Sequence, residues 1–144
     1  AMAELIAGLK KPTVTLVLGG GHSIGVPLAV SGKVSMIVPS ASMTIHPIRM
    51  TGMLIAAPQT YRYFERLQEQ IVCFVEEHSR MERGKFLELM MNLGDMSSDV
   101  GSVVYGREAV RMGLIDRMGS ISEAMDCLYG MIERENQEKS ADFS

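Results

Sequence analysis

The sequence has little of what would tie it to several common protein classes. It holds two cysteines, Cys73 and Cys127, both in apolar helical contexts and neither in a CxxC or paired with a histidine. That pattern gives no disulfide framework and no metal site, and it predicts buried free thiols in a reducing compartment. No basic block stands out: 14 Lys and Arg face 17 Asp and Glu, for a net charge of −3. The electrostatic footprint of a nucleic-acid-binding protein is therefore missing. No apolar run approaches the ~18 residues that read as a transmembrane segment. The opening AMAELIAGLKK sets its lysines after the apolar part, the reverse of a secretory signal peptide. These absences predict a soluble cytoplasmic protein. Tryptophan is lacking altogether, whereas methionine occurs 13 times. Methionine serves either as core filler or as an adaptable contact surface, and core filler is the simpler reading.

What is present suffices for one domain. The 144 residues are 47% hydrophobic, enough to bury a core. Met2, Leu5, Ile6 and Leu9 recur at helical spacing, and Lys10, Lys11 and Pro12 close that helix. The run 13–19, TVTLVLG, reads as a buried strand that the first helix should cover. Residues 23–32 form a short helix with Pro27 in its first turn, where proline is tolerated. Strands follow at 34–39 and 42–46. From Pro58 to His78 a stripe of Tyr61, Phe64, Leu67, Ile71, Phe74 and Val75 predicts a helix of about five turns. Ser79 to Glu82 reads as a capping box for a helix through Met91, and Ser120 to Glu123 as a second one. Between them, 107–112 is a short helix stopped by Gly113. The last helix should turn Ile121, Ala124, Met125, Leu128, Met131 and Ile132 inward, and the polar tail 135–144 should fray, leaving a domain over 1–134. This alternation is that of an α/β layered domain.

Chemistry is concentrated in LGGGHSIG, 18–25. A serine hydroxyl needs a base within reach and donors for the oxyanion it creates. Ser23 follows a strand and opens a helix, where free N–H groups converge and the helix dipole favours negative charge. The Ile24 N–H is placed to serve such an oxyanion, and Gly20 and Gly21 let a substrate approach the main chain. The stretch is not a GxSxG elbow, because His22 and Ile24 flank the serine. Nor is it a P-loop, since Val26 stands where the lysine belongs. A tight turn before a helix remains the plain alternative. Of the three histidines, His78 ends a helix, His22 adjoins the serine on a turn where neighbouring side chains diverge, and His46 ends a strand.

The combination resembles the Clp protease proteolytic subunit family. Its (A/S)-S-M-G turn is matched by His22-Ser23-Ile24-Gly25, and its M-I-H-Q-P strand end by Thr44-Ile45-His46-Pro47. Its handle helix is matched by 58–78, and its E-A-x-x-x-G-L-(I/V)-D segment by Glu108 to Asp116. Gly19 to Gly21, HPIRMTG and APQTY look closest to the translocation-enhancing branch of the family. The resemblance implies a Clp protease/crotonase-like layered α/β fold and a serine endopeptidase, with a possible role in handling secretory pre-proteins. It makes Ser23 the nucleophile, His46 the base and Ile24 N–H an oxyanion donor, with no cofactor and no metal. Strict spacing from Glu108 puts the family's catalytic aspartate at Gly101, so the acid is expected at Asp99, with Asp95 as the other choice; Asp116 matches a structural position. A peptide or protein substrate and self-association through helix 58–78 are also implied, while an ATPase partner is left open.

The family's domain begins with two strands and an S-P-G-G loop that supplies a second oxyanion donor. The sequence opens at the following helix, so an upstream segment carrying that loop is expected in the native protein, and the fold is expected to be N-terminally truncated here. Two rival readings share the fold. Crotonases carry a G-G-G-C-E-L-A stretch like Gly19 to Gly25 but use a glutamate, and no acidic residue lies between Glu4 and Glu65. A catalytically silent ring-forming scaffold is the other.

Overall fold

A computed structural model describes residues 1–49, 58–94 and 100–141. The chain runs α1 (Met2–Ala7), β1 (Val14–Val17), β2 (Gly20–His22), α2 (Gly25–Val30), β3 (Val34–Ile37) and β4 (Ser42–Ile45). It continues as α3 (Pro58–Glu77), α4 (Arg83–Met90), β5 (Ser102–Tyr105), α5 (Gly106–Arg111), β6 (Arg117–Met118) and α6 (Ile121–Ala141). The β-branched runs of β1 and β3 pair in parallel, Val14 opposite Val34 through Val17 opposite Ile37, and β6 joins the far side of β3. The expected strands are present but belong to two sheets. At Leu18–Gly19 and again over 38–41 the chain leaves the first sheet for a second, in the order β2-β4-β5. Hydrogen bonds from Val38 N–H to Val17 O and from Ser42 N–H to Gly19 O carry the pairing across the bend. The glycines read as a turn are thus a strand, parallel to β4, which in turn pairs antiparallel with β5.

The core fills the angle between the sheets and the helices. Val26, Ala29 and Val30 of α2 meet Ile37, Met43, Ile45 and Val104 from the strands, with Val72 and Val75 of α3 and Phe86 of α4. Met36, Met43, Met81 and Met90 are buried as core filler, whereas Met2, Met91 and Met125 are exposed. No helix among the described residues is long and apolar enough to cross a membrane.

Several helices are placed differently from the sequence expectation. Helix α1 rests on α2 rather than on β1, with Ala3 and Ala7 against the core, and Leu5 is 70% exposed. Small residues let the helices approach; Met2, Leu5 and Leu9 point outward, while Ile6 is half-buried. Helix α3 divides along its length: Val72, Phe74 and Val75 are buried, while Tyr61 and Tyr63 lie in solvent. The Ser79 box does not form. Ser79 Oγ donates to Val75 O and accepts from Met81 N–H, finishing α3 instead of starting α4. The second box does form: Ser120 Oγ accepts from Glu123 N–H, and the Glu123 carboxylate accepts from Ser120 N–H and Oγ. Those two donors hold the Glu123 carboxyl below its ordinary pKa. A depressed folded value means the cap is intact above the usual carboxylate range and is lost as pH falls through the lowered one. Of the expected inward stripe on α6 only Ala124 is buried, and Ile121, Met125 and Ile132 are exposed. The polar residues from Glu135 onward continue the helix to Ala141. Both thiols are free and half-buried, not fully buried as expected.

Asp116 pins the first sheet to the loop that follows α5. Its carboxylate accepts from the buried Ser35 N–H at 2.9 Å and Oγ at 3.0 Å, and its own N–H donates to Ser35 Oγ. Asp116→Ala leaves those buried donors unpaired and should lower unfolding free energy by about 1–3 kcal/mol, measured by urea denaturation.

Candidate active site

The end of β2 delivers Ser23 in a conformation that few L-residues adopt. Its φ is 54°, the only positive value at a non-glycine position among the described residues. The left-handed region costs roughly 1–2 kcal/mol for such a residue, so neighbouring bonds must hold it. Ser23 N–H donates to Thr44 O at 3.1 Å, and Ser23 O accepts from Val26 N–H at 3.0 Å, in the first turn of α2. The turn leaves the serine exposed at the head of the helix. Ile24 N–H finds no backbone acceptor among the described residues, as expected for a helix-entry donor.

Ser23 and His46 line one cavity of about 230 Å³, walled by Ile24, Val26, Pro27, Ile45, Ile48, Ile71, Phe86 and Met90 among others. β2 and β4 run in parallel, so both strands deliver their last residues to the same edge of the sheet. His46 Nδ1 lies 2.7 Å from Pro47 O. A carbonyl only accepts, so Nδ1 is the donor in this contact, and in a neutral ring Nε2 is the nitrogen that can accept a proton. No carboxylate lines this cavity among the described residues, and no group of three or more His, Cys, Asp or Glu gathers there or elsewhere among them.

Other expected residues fall at varied distances from this centre. Asp99 and Asp95 lie outside the described residues. Gly101, the position that family spacing gives to the acid, is packed on the histidine itself: a Cβ there would stand 2.5 Å from Ile45 O and 2.8 Å from His46 Cβ. Gly20 and Gly21 line a separate cavity of about 300 Å³ against β1. Gly21 is buried against Met43 and Val17, and the space above Gly20 holds the His22 ring. His78 is half-buried, stacked on Phe74 with centroids 4.1 Å apart. Sequence reasoning missed Thr44, whose carbonyl fixes Ser23 and whose hydroxyl meets His22. Only the strand register discloses it.

A hydroxyl on a strained strand-to-helix turn and an imidazole thus line one largely apolar cavity. The Clp protease family model matches residues 1–122, and the chain belongs to that family. It is 51% identical over 135 residues to the translocation-enhancing protein TepA of Halalkalibacterium halodurans, an alignment covering 94% of this chain and 53% of the relative. The chain thus spans about half the length of the curated relative it matches.

Gly101 has φ +138°, a region that is essentially glycine's own, in addition to its contact with His46. Gly101→Ala should therefore destabilise the fold by at least about 1–3 kcal/mol, read by thermal unfolding. Any Ser23 reactivity should fall with it.

Proposed function

We propose that the chain carries the catalytic centre of a serine endopeptidase. The observation that supports this most is the shared cavity of Ser23 and His46 in a member of the Clp protease family. Ser23 Oγ attacks the carbonyl carbon of a peptide bond while His46 Nε2 takes its proton. Ile24 N–H donates to the oxyanion. The C–N bond then breaks, the proton passes from His46 to the leaving amine, and water hydrolyses the serine ester by the same route in reverse. Asp99 is the proposed partner for His46 Nδ1, in place of Pro47 O. Gly20 and Gly21 face a separate cavity and are left out of the proposed substrate path.

The apolar cavity suits one large apolar side chain, being smaller than the roughly 300–1,000 Å³ of pockets for drug-sized ligands. Peptides with such a residue beside the scissile bond are the proposed substrates. The relative is named for enhancing translocation, and we extend that association to this chain as the handling of secretory pre-proteins. Self-association is proposed through helix 58–78, whose first half presents Tyr61 and Tyr63 to solvent, 68% and 58% exposed. A crotonase-like reading needs an acid–base carboxylate, and none lines the cavity among the described residues.

In the intact protein, a fluorophosphonate should add to Ser23, detected by peptide mass. Ser23→Ala should abolish both labelling and peptide hydrolysis with the fold unchanged, and Asp99→Asn should slow both more than Asp95→Asn does. Turnover by Ser23→Ala would remove the serine from the mechanism. Sedimentation at micromolar concentration should show an assembly that Tyr61→Glu with Tyr63→Glu dissociates; a monomer in the unsubstituted protein would contradict the proposed interface.

A further inference from the structure

One side chain beside Ser23 has no part in that reaction. His22 lies on β2 with its ring folded back over Gly20, where a Cβ would stand 2.3 Å from His22 Nε2 and 2.6 Å from Cδ2. Gly20 is not among the glycines with positive φ, which are Gly101 and Gly113. Its backbone therefore makes no demand for glycine, and the ring does. Across the sheet, His22 Nδ1 and Thr44 Oγ1 share a hydrogen bond of 2.6 Å, and the two residues are direct partners in the β2–β4 register.

Thr44 thus holds both sides of the link between His22 and Ser23. Its hydroxyl meets the imidazole, and its carbonyl takes the Ser23 amide. The other residues of β2 are Gly20 and Gly21, which bring no side chain to the pairing. His22 with Thr44 is consequently the one cross-strand side-chain pair in that ladder, and such pairs are what stabilise short sheets. It sits one residue before a strained φ that must be held from outside.

We propose that His22 is a positioning residue for Ser23: its ring, seated over Gly20 and bonded to Thr44, locks the end of β2 to β4 and fixes the turn that aims the serine hydroxyl. The proposal rests on Ser23 being the nucleophile. Without the lock, the end of β2 parts from β4, Ser23 relaxes toward negative φ, and the hydroxyl leaves its attacking position, to which rates are steeply sensitive.

The test is the rate of fluorophosphonate addition to Ser23 in the intact protein. His22→Ala and Thr44→Val should each slow it by about three- to tenfold, the worth of one such hydrogen bond. The double variant should be no slower than the slower single one. His22→Asn, which keeps a polar atom near the Nδ1 position, should recover most of the rate, a rescue that loss of packing alone would not give. Gly20→Ala should slow addition by displacing the ring, and the same change should be harmless in a His22→Ala background. Equal rates for wild type and His22→Ala, or effects of His22→Ala and Thr44→Val that multiply, would overturn the proposal while leaving the nucleophile in place. Absence of labelling in the wild type would overturn the nucleophile assignment and this proposal together.

Discussion

The site depends on a three-residue strand gripping its neighbour. β2 is Gly20, Gly21 and His22, a composition with poor intrinsic strand preference. It exists because the fold supplies what its own residues lack. The Ser42 N–H closes onto Gly19 O at its start, Met43 and Val17 fill the notch at Gly21, and Thr44 takes the Ser23 amide at its end. Release that pairing and only the Val26 N–H on Ser23 O remains to hold the serine at positive φ. Ser23 and His46 are therefore positioned by the second sheet, while the first sheet and its Asp116 pin provide the floor from which the chain bends away.

That bend explains which parts of the fold were legible in the sequence. Apolar β-branched runs announce strands, so 13–19, 34–39 and 42–46 were readable. A sheet change is written only in pairing partners, so the division into two sheets was not. Gly20 and Gly21 read as part of a tight turn because glycine disfavours strands, and tertiary pairing overrode that preference. The two Ser-x-x-Glu boxes look alike in sequence, yet only the one at Ser120 forms. Ser79 had a nearer acceptor in Val75 O at the end of α3, and a local hydroxyl-to-carbonyl bond competes directly with capping. For α6, the helical period was readable, but nothing in a period says that a partner surface exists to cover it.

The candidate site was legible to a comparable degree. A hydroxyl at a glycine-rich helix entry and a histidine at a strand end stood out locally, but it was the resemblance to the Clp protease family that singled out Ser23 and His46 as a pair. Their meeting in one cavity follows from β2 and β4 being parallel, with both last residues at the same edge. Thr44 and Pro47 were invisible, since one acts through a carbonyl as well as a hydroxyl and the other through a carbonyl alone. The spacing argument that pointed to Gly101 located a position in direct contact with His46, though with a residue that has no carboxylate.

The overlap of the His22 ring with the empty side of Gly20 has a consequence for how such a sequence can change over time. Positions 20 and 22 do not vary independently, because a methyl at the first and an imidazole at the second claim the same volume. With a larger residue at position 20 the His22 ring would have to turn away from its place over the strand, so the two residues are coupled through one shared volume.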